Sequence, residues 1–425
     1  MSLRLQCVLT LKKILEEKVF FNALKSDFNV QDTAFANKLI LTSLRRKTVI
    51  ENLLKTYLSK KIPQKNKILE YVLLLGATEI LYMDTPDYAA INEYVEISKK
   101  LVGKFSANMV NAVLRKIPSH REEMKNKASF PFAFEQILKQ DYSKEQIALM
   151  EQMLLSEPPL DITAKENPQV SAQKLNGTLF ENGTIRLHHI KANIASIDGY
   201  EEGFWWVQDL AASLPVCLSE NLKDKKVLDL CAAPGGKTAQ FLSKGAIVTA
   251  LDISQERLKT LKENMARLKL EQNLTILCAD GVEYLKGTTD SFDFILLDAP
   301  CSATGTFRKH PEVLHFKTTD DVKALLSVQQ ALLSEASKHL QKDGRLVYCT
   351  CSLAKKEGEA QIKKFLSEHP DFELKPLKLQ NLKITEGEIL DKAIIDKQVL
   401  RTLPYHMKNQ GGMDGFFAAI LTYKK

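Results

Sequence analysis

From residue 227 onward the chain alternates between apolar runs of strand length and charged runs of helix length, and no other feature restricts its fold as much. VLDLCA (227–232), IVTALDI (247–253), LTILCAD (274–280), FDFILLDAP (292–300) and GRLVYCTCS (344–352) are the apolar runs; amphipathic stretches such as SQERLKTLKENMARLK (254–269) separate most of them. Strands that are apolar on both faces and joined by helices predict a parallel sheet covered on both sides. Such sheets bind ligands beyond the carboxyl ends of their strands. Asp252, Asp280, Asp298 and Cys351 fall there. The closing segment GMDGFFAAILTYKK reads as an edge strand.

The front of the chain reads differently. Residues 1–117 are expected to form several helices: apolar residues recur at three and four spacing in LEYVLLLGATEILYM (69–83), and Gly76 inside that pattern predicts a close helix approach. DTAFANKLILTSLRRKT (32–48) is expected to start on Asp32 as N-cap and to end at Arg45, Arg46 and Lys47, a cluster suited equally to a helix C-terminus and to phosphate. Residues 118–142 read as a connector. A helix at about 143–156, the break Pro158-Pro159 and short β-like stretches with turns at Asn176-Gly177 and Asn182-Gly183 then predict a small α+β piece. The pair His188-His189 within it reads as a surface feature. Trp205 and Trp206 suit either base stacking or packing at a domain seam.

Charge and cysteine usage narrow the function classes. The net charge of +7 is uneven, because residues 1–135 carry 22 Lys+Arg against 14 Asp+Glu while the remainder is nearly balanced. A basic front on a neutral back suggests a polyanion docked by one module and processed by another, with a solvated basic surface as the plainer reading. Seven cysteines without a CxxC spacing give neither a disulfide framework nor a zinc ribbon. The first twenty residues, with Arg4, Lys12, Lys13, Glu16 and Glu17, make a poor signal peptide, and no apolar run approaches the roughly 18 residues of a membrane span. A cytoplasmic monomer is expected, with no metal and no membrane partner.

The strand ends carry the chemistry. CAAPGGKT (231–238) is a Gly turn opening a helix, yet it is neither GxGxxG nor GxxxxGK[ST]. Such a turn lets backbone approach a small adenosine-type ligand and offers helix N–H groups to its carboxylate. Asp252 is placed for two ribose hydroxyls, and Asp280 for an adenine amino group. Asp298 ends an apolar run at Asp298-Ala299-Pro300-Cys301, and a second thiol-bearing run ends at Cys351; both ends are expected to face one pocket. Carbon 5 of cytosine needs a thiolate on carbon 6 before it attacks a methyl sulfonium, and a carboxyl group near N3 assists as charge develops. Asp298 with a neighbouring thiol supplies that pair, and spacing allows either Cys301 or Cys351 to be the nucleophile. Cys231, Cys278 and Cys349 read as small core residues. Arg308, Lys309 and His310 follow the thiol loop, where a phosphate running past the pocket would meet them.

LDLCAAPGGKT, ALDIS, LLDAPCSATGTFRKHPEV, VYCTCSL and MDGFFAAIL together resemble the RNA cytosine-5 methyltransferases. DTAFANKLILTSLRR, LLLGATEILYMDTPDYAAINEYVEISK and MVNAVLRK resemble the NusB-type domain on the bacterial member that modifies 16S ribosomal RNA. The resemblance implies a multi-domain chain: an all-α NusB-like RNA-binding domain (1–135), a connector and small α+β subdomain (136–205), and an α/β Rossmann-like class I methyltransferase domain (206–425). It implies S-adenosylmethionine held by Cys231, Ala232, Ala233, Pro234, Gly235, Gly236 and Lys237 with Asp252, Asp280 and Asp298. It also implies Cys351 as nucleophile, Cys301 as the thiol that assists release, and 5-methylcytosine in 16S ribosomal RNA as product. One departure is Thr163, in LDITAKEN, where the family commonly has Arg. A tRNA or DNA cytosine methyltransferase shares the chemistry, and a non-catalytic RNA-binding assembly factor is the rival of another class.

Overall fold

The computed structural model describes residues 1–188, 193–219, 221–377, 394–395 and 398–424, so His189 lies outside the described residues. The chain forms two compact units, Met1–Glu157 with Phe307–Thr318, and Pro158–Thr306 with Thr319–Lys425. The divisions expected at 135 and 205 therefore shift. The first boundary moves because residues 130–134 pack on a segment from far along the chain: the Phe307 ring meets those of Phe130 and Phe134 edge-on, at centroid distances of 5.2 and 6.0 Å.

The first unit is helical: α1 (Leu3–Glu17), α2 (Val30–Tyr57), α3 (Ile68–Tyr82), α4 (Asp87–Leu101), α5 (Lys104–Leu114), α6 (Arg121–Lys125), α7 (Phe132–Leu138) and α8 (Lys144–Gln152). Helix α3 is its axis, buried from Tyr71 through Leu81. A Cβ on Gly76 would come within 2.8 Å of Leu114 and 3.1 Å of Tyr94, which is the close approach expected of that glycine. Inside the unit Glu79, fully buried, is paired with Arg4 at 2.6 Å and accepts a hydrogen bond from the Tyr94 hydroxyl at 2.9 Å. Helix α2 does not stop at Arg45-Arg46-Lys47; buried Ile50 and Leu54 continue its apolar face, and it runs on to Tyr57. It also begins earlier, with Asn29 as N-cap and Asp32 in its first turn. The expected connector holds α6 and α7. Helix α8 opens on a capping box between Ser143 and Gln146.

The second unit starts with a small antiparallel sheet of β1 (Leu160–Ala164), β2 (Thr178–Leu179), β3 (Thr184–Leu187) and β4 (Trp205–Val207), in the order β2-β3-β1-β4, with α9 (Pro168–Lys174) beside it. Trp205 and Trp206 are buried in β4, and their indole N–H groups donate to Asp198 O and Gln208 Oε1, so packing rather than base stacking accounts for both. Thr163 of β1 donates to Gln208 Oε1 at 2.9 Å. Two cross-strand pairs away, Arg186 of β3 and Asp161 of β1 form a buried two-pronged ion pair at 2.7 and 2.8 Å.

The larger sheet follows: β5 (Lys226–Leu230), β6 (Ile247–Asp252), β7 (Leu274–Cys278), β8 (Phe292–Asp298), β9 (Leu340–Thr350), β10 (Phe372–Leu374), β11 (Ile394–Ile395), β12 (Val399–Thr402) and β13 (Phe416–Tyr423). Its order is β11-β12-β13-β9-β8-β5-β6-β7, with β10 also on β13; β5 to β9 run parallel to one another and β13 runs antiparallel to β9. The helices are α10 (Leu210–Cys217), α11 (Gly236–Ser243), α12 (Gln255–Leu268), α13 (Gly281–Gly287), α14 (Thr319–Ser337) and α15 (Glu359–Glu368). Alternate strand residues serve opposite faces: Phe294 and Leu296 pack with Phe241, Leu261 and Met265, while Ile295 and Leu297 pack with Leu285, Leu332 and Phe365. Both faces are thus covered, as the apolar runs demand. The closing strand β13 is not an edge, because β12 and β10 pair on the side away from β9.

Strand β5 lies between β6 and β8: the chain winds outward through β6 to β7 and then crosses back to β8 on the other side of β5, and this reversal opens a crevice at the carboxyl end of β5. The buried Arg186–Asp161 pair gives a first test. Replacing Arg186 by Met leaves the Asp161 carboxylate uncompensated and is expected to destabilise the protein by about 3–5 kcal/mol. Urea denaturation followed by tryptophan fluorescence, which reports Trp205 and Trp206, would register the loss.

Candidate active site

The loop after β5 is shaped by backbone that few side chains tolerate. Cys231 sits at φ 61°, the Ala233–Pro234 bond is cis, and Gly235 sits at φ 102° as N-cap of α11. A Cβ on Gly235 would also lie 2.9 Å from Leu261, so glycine is required twice over. The loop is tied to β6: Ala232 N–H donates to Leu251 O at 3.0 Å, and Ala233 N–H to Asp252 Oδ2 at 3.2 Å. Asp252 is buried and also accepts from Ser254 N–H at 3.0 Å and pairs with Arg257 at 3.2 Å. Arg257 reaches the Ala233 carbonyl as well. Asp280, exposed, caps α13 by accepting from the Val282 and Glu283 N–H groups. Asp229 of β5 is fully buried; one oxygen accepts from Thr238 Oγ1 at 2.6 Å and the other has no partner among the described residues. Burial pushes its pKa up to about 7, with Asp298 and Asp252 adding to the rise against Thr238 and Lys237.

The two thiols do meet. Asp298 stands opposite Cys349 in the parallel pairing of β8 with β9, and Ala299 N–H donates to Cys349 O at 2.9 Å. The loops beyond these residues bring Cys301 Sγ and Cys351 Sγ to 3.4 Å. Gly305 makes the approach possible: its N–H donates to Cys351 O at 2.9 Å, and a Cβ there would fall 1.9 Å from Gly415 O. Asp298 is held on both sides, by Lys237 Nζ on Oδ2 at 2.8 Å and by the Cys349 thiol on Oδ1 at 3.6 Å. Burial opposes the charge of Lys237, but Asp298 and the Cys349 and Cys351 sulfurs outweigh it and its pKa is raised. The hydrogen bond to Cys351, then burial, hold the Cys301 pKa well above the ordinary thiol value. Burial, with Asp298, does the same for Cys349. Burial pushes Cys231 up to about 12, with Asp298 and Asp252 contributing. Cys349 is a core residue as expected; Cys278 is not, being exposed at the end of edge strand β7.

The expected phosphate contacts need correcting. Arg45 and Arg46 are buried and serve as internal struts of the first unit. Arg45 donates to the Arg308 carbonyl at 3.1 and 3.3 Å, and burial pulls its pKa down to about 10. Arg46 donates to the Lys127 and Leu155 carbonyls at 2.6 and 3.0 Å and lies over the Tyr82 ring. Lys47 pairs with Glu51 at 2.7 Å. Arg308 is 1% exposed, so it offers a polyanion no surface. Lys309 and His310 are half-buried, with His310 Nδ1 at 3.6 Å from Glu312. The residue that sequence reasoning missed is Glu357. It is fully buried beside the thiol loops, and the charged setting KKEGE disguises it as a surface residue.

The residues at the carboxyl ends of β5, β6 and β8 fit a cationic adenosine derivative. Among the described residues their carboxylates, Asp229, Asp252 and Asp298, outnumber the cations paired with them, Lys237 and Arg257, and Asp229 Oδ1 is a buried acceptor without a donor. A Cβ on Gly236 would meet nothing nearer than 3.7 Å, which leaves the start of α11 open to a ligand. S-adenosylmethionine carries the ammonium, sulfonium and hydroxyl groups that such acceptors take. Among the described residues no three His, Cys, Asp or Glu side chains are grouped to hold a metal ion, and no helix is long and apolar enough to cross a membrane.

Residues 216–422 match the family described as 16S rRNA methyltransferase RsmB/F, and residues 1–119 match the NusB family. The ribosomal RNA small subunit methyltransferase B of Pasteurella multocida is 31% identical over 77% of this chain and 78% of its own. The chain belongs to this family. The enzyme of the same name from Vibrio cholerae is 29% identical over 94% of this chain and 92% of its own. Among solved structures, PH0851 superposes with a TM-score of 0.73 over 93% of this chain and 91% of its own; at 20% identity this is a likeness of fold. The protein is accordingly an S-adenosylmethionine-dependent RNA methyltransferase with a NusB-type helical domain ahead of a Rossmann-like catalytic domain.

Asp229 gives a second prediction. An acid whose folded pKa is raised binds more protons folded than unfolded, so stability falls as pH rises from the ordinary 3.8 to about 7. Asp229→Asn removes this term. Thermal midpoints of the two ligand-free proteins are expected to diverge in favour of the variant as pH climbs through that window; parallel curves would refute it.

Proposed function

We propose that this enzyme methylates carbon 5 of a cytosine in 16S ribosomal RNA through a covalent bond between Cys351 and carbon 6. The observation that carries the reading is the pair of thiols 3.4 Å apart at the ends of neighbouring strands, beside the carboxylate of Asp298. Amino-group methylation needs neither thiol. S-adenosylmethionine, when bound, supplies the electrophilic methyl group.

Either sulfur can donate to the other across 3.4 Å. The resemblance of VYCTCSL to the RNA cytosine-5 methyltransferases gives the nucleophile's role to Cys351, while Cys301, whose pKa is raised by the hydrogen bond to Cys351 and by burial, keeps its hydrogen to donate to that sulfur. As Cys351 bonds to carbon 6, the C5–C6 π electrons move toward carbon 5 and N3, and Asp298 attends N3 as charge develops there. Once carbon 5 bears its methyl group, a base takes the carbon-5 proton, the S–C6 bond breaks and its electron pair returns to Cys351. The Cys301 thiol, in hydrogen-bond reach of that departing sulfur, stabilises it. The backbone of residues 231–237 with Asp252, Asp280 and Asp298 holds the cofactor. Of the cluster that follows the thiol loop in sequence, Lys309 and His310 remain as candidates for a phosphate contact.

Cys351→Ala is expected to lower methylation by on the order of 10³-fold or more, measured by tritium transfer to 16S RNA; wild-type rates would remove Cys351 from its role. Cys301→Ala is expected to accumulate a covalent RNA–protein adduct, seen as a slowed band on a denaturing gel. Bisulfite sequencing of RNA from a deletion strain identifies the substrate: loss of a 5-methylcytosine from tRNA rather than 16S RNA would redirect the assignment, and no loss would favour the assembly-factor reading.

A further inference from the structure

The two thiol loops are joined beneath the sulfurs by one buried carboxylate. Glu357 Oε1 accepts from Ser302 N–H at 2.9 Å and from Gln329 Nε2 at 2.9 Å; Glu357 Oε2 accepts from Ser302 Oγ and Ser352 Oγ, each at 2.5 Å. Ser302 directly follows Cys301, and Ser352 directly follows Cys351. Both serines are fully buried, and their hydroxyls are 3.1 Å apart. The same clasp extends to Thr304, which accepts from Leu353 N–H at 2.9 Å, and to Gln329, which donates a second hydrogen bond to Pro300 O and is itself held by Gln361.

A fully buried carboxylate is costly even when it takes four hydrogen bonds, and a well-packed apolar residue of similar size would stabilise the fold as well. What it does here that an apolar residue cannot is fix one loop against the other through donors on both. We infer that Glu357 is the positioning residue of the two-thiol centre: it sets the separation of Cys301 and Cys351 by clasping Ser302 and Ser352, and so governs the step in which one thiol helps release the other from the RNA. This rests on the covalent reading above for the release step, while the clasp itself stands on the distances. Glu357 also adds its charge to the influences that raise the Cys301 pKa, which ties the same residue to the protonation of the releasing thiol.

The test separates clasp from chemistry. Diamide takes two hydrogens from a pair of close thiols, its azo bond becoming a hydrazine as an S–S bond forms. In the full-length protein the Cys301–Cys351 cross-link is quantified by peptide mass spectrometry. Glu357→Ala is expected to slow cross-linking roughly 10- to 100-fold, the scale of a lost positioning contact, while S-adenosylmethionine binding by calorimetry stays within about threefold. Glu357→Gln keeps an oxygen for Ser302 N–H and Gln329, and the serine hydroxyls can rotate to accept from its amide; it is expected to recover most of the cross-linking rate. With RNA and cofactor, Glu357→Ala is expected to accumulate the covalent adduct as Cys301→Ala does. A folded Glu357→Ala protein that cross-links and turns over like wild type would overturn the inference, as would equal loss in the Ala and Gln variants. Should Glu357→Ala not fold, Ser352→Ala and Gln329→Ala decide: unchanged cross-linking in both overturns it. The cross-linking result stands whether or not Cys351 proves to be the nucleophile, so failure of the covalent reading and failure of the clasp are read separately.

Discussion

The register of β8 against β9 is the constraint on which the site depends. With Asp298 opposite Cys349, the two strands leave the sheet side by side, and each turns within three residues into a loop carrying one of the two paired thiols. A slip by one residue would invert every side chain of β9 between the two cores and carry Cys351 to the wrong face. That register is secured on both faces at once, by Leu296 and Val347 in one core and by Ile295, Leu297, Leu346 and Tyr348 in the other. The apolar runs that made the fold legible are therefore the same residues that bring the chemistry together.

Beyond the strand ends, sheet packing gives way to polar contacts. Gly305, Gly415 and Cys351 approach through backbone alone, and Lys237 crosses from the first turn of α11 to Asp298. The carboxylates near the loop after β5 then sit in a graded series. Asp229 is buried and drawn toward its neutral form, Asp252 is bound by the loop it supports, and Asp298 is shared between a lysine and a thiol. A cationic cofactor relieves the electrostatic cost of that series, which is why stability and binding are expected to be linked at Asp229.

What could be read from the sequence follows a physical division. Strands buried on both faces announce themselves in composition, so all five parallel strands were found within a few residues, and so were α3 and the close approach at Gly76. Strand β12 was missed because it is a four-residue piece within a mostly polar stretch, and its absence made β13 look like an edge. Partners distant in sequence were the other blind spot. Nothing local tells that Arg45 will donate to the carbonyl of Arg308, or that Phe307 will pack on Phe130. Glu357 is the sharpest case, since Ser302, Ser352 and Gln329 come from three separate segments.

Net charge deserves a narrower reading than the basic front of this chain first suggested. The excess of Lys and Arg in residues 1–135 includes guanidinium groups that never reach a ligand: Arg45 and Arg46 satisfy backbone carbonyls inside the helical unit, and Arg4 neutralises buried Glu79. Arginine suits that task because its planar fork can satisfy two acceptors while its stem packs against apolar surface. An arginine buried as a strut contributes to the formal charge of the chain but little to its outer field. Attraction of a polyanion by this unit must therefore come from its exposed lysines and from the exposed Arg115 and Arg121, and truncating a buried arginine would weaken RNA binding only by loosening the fold.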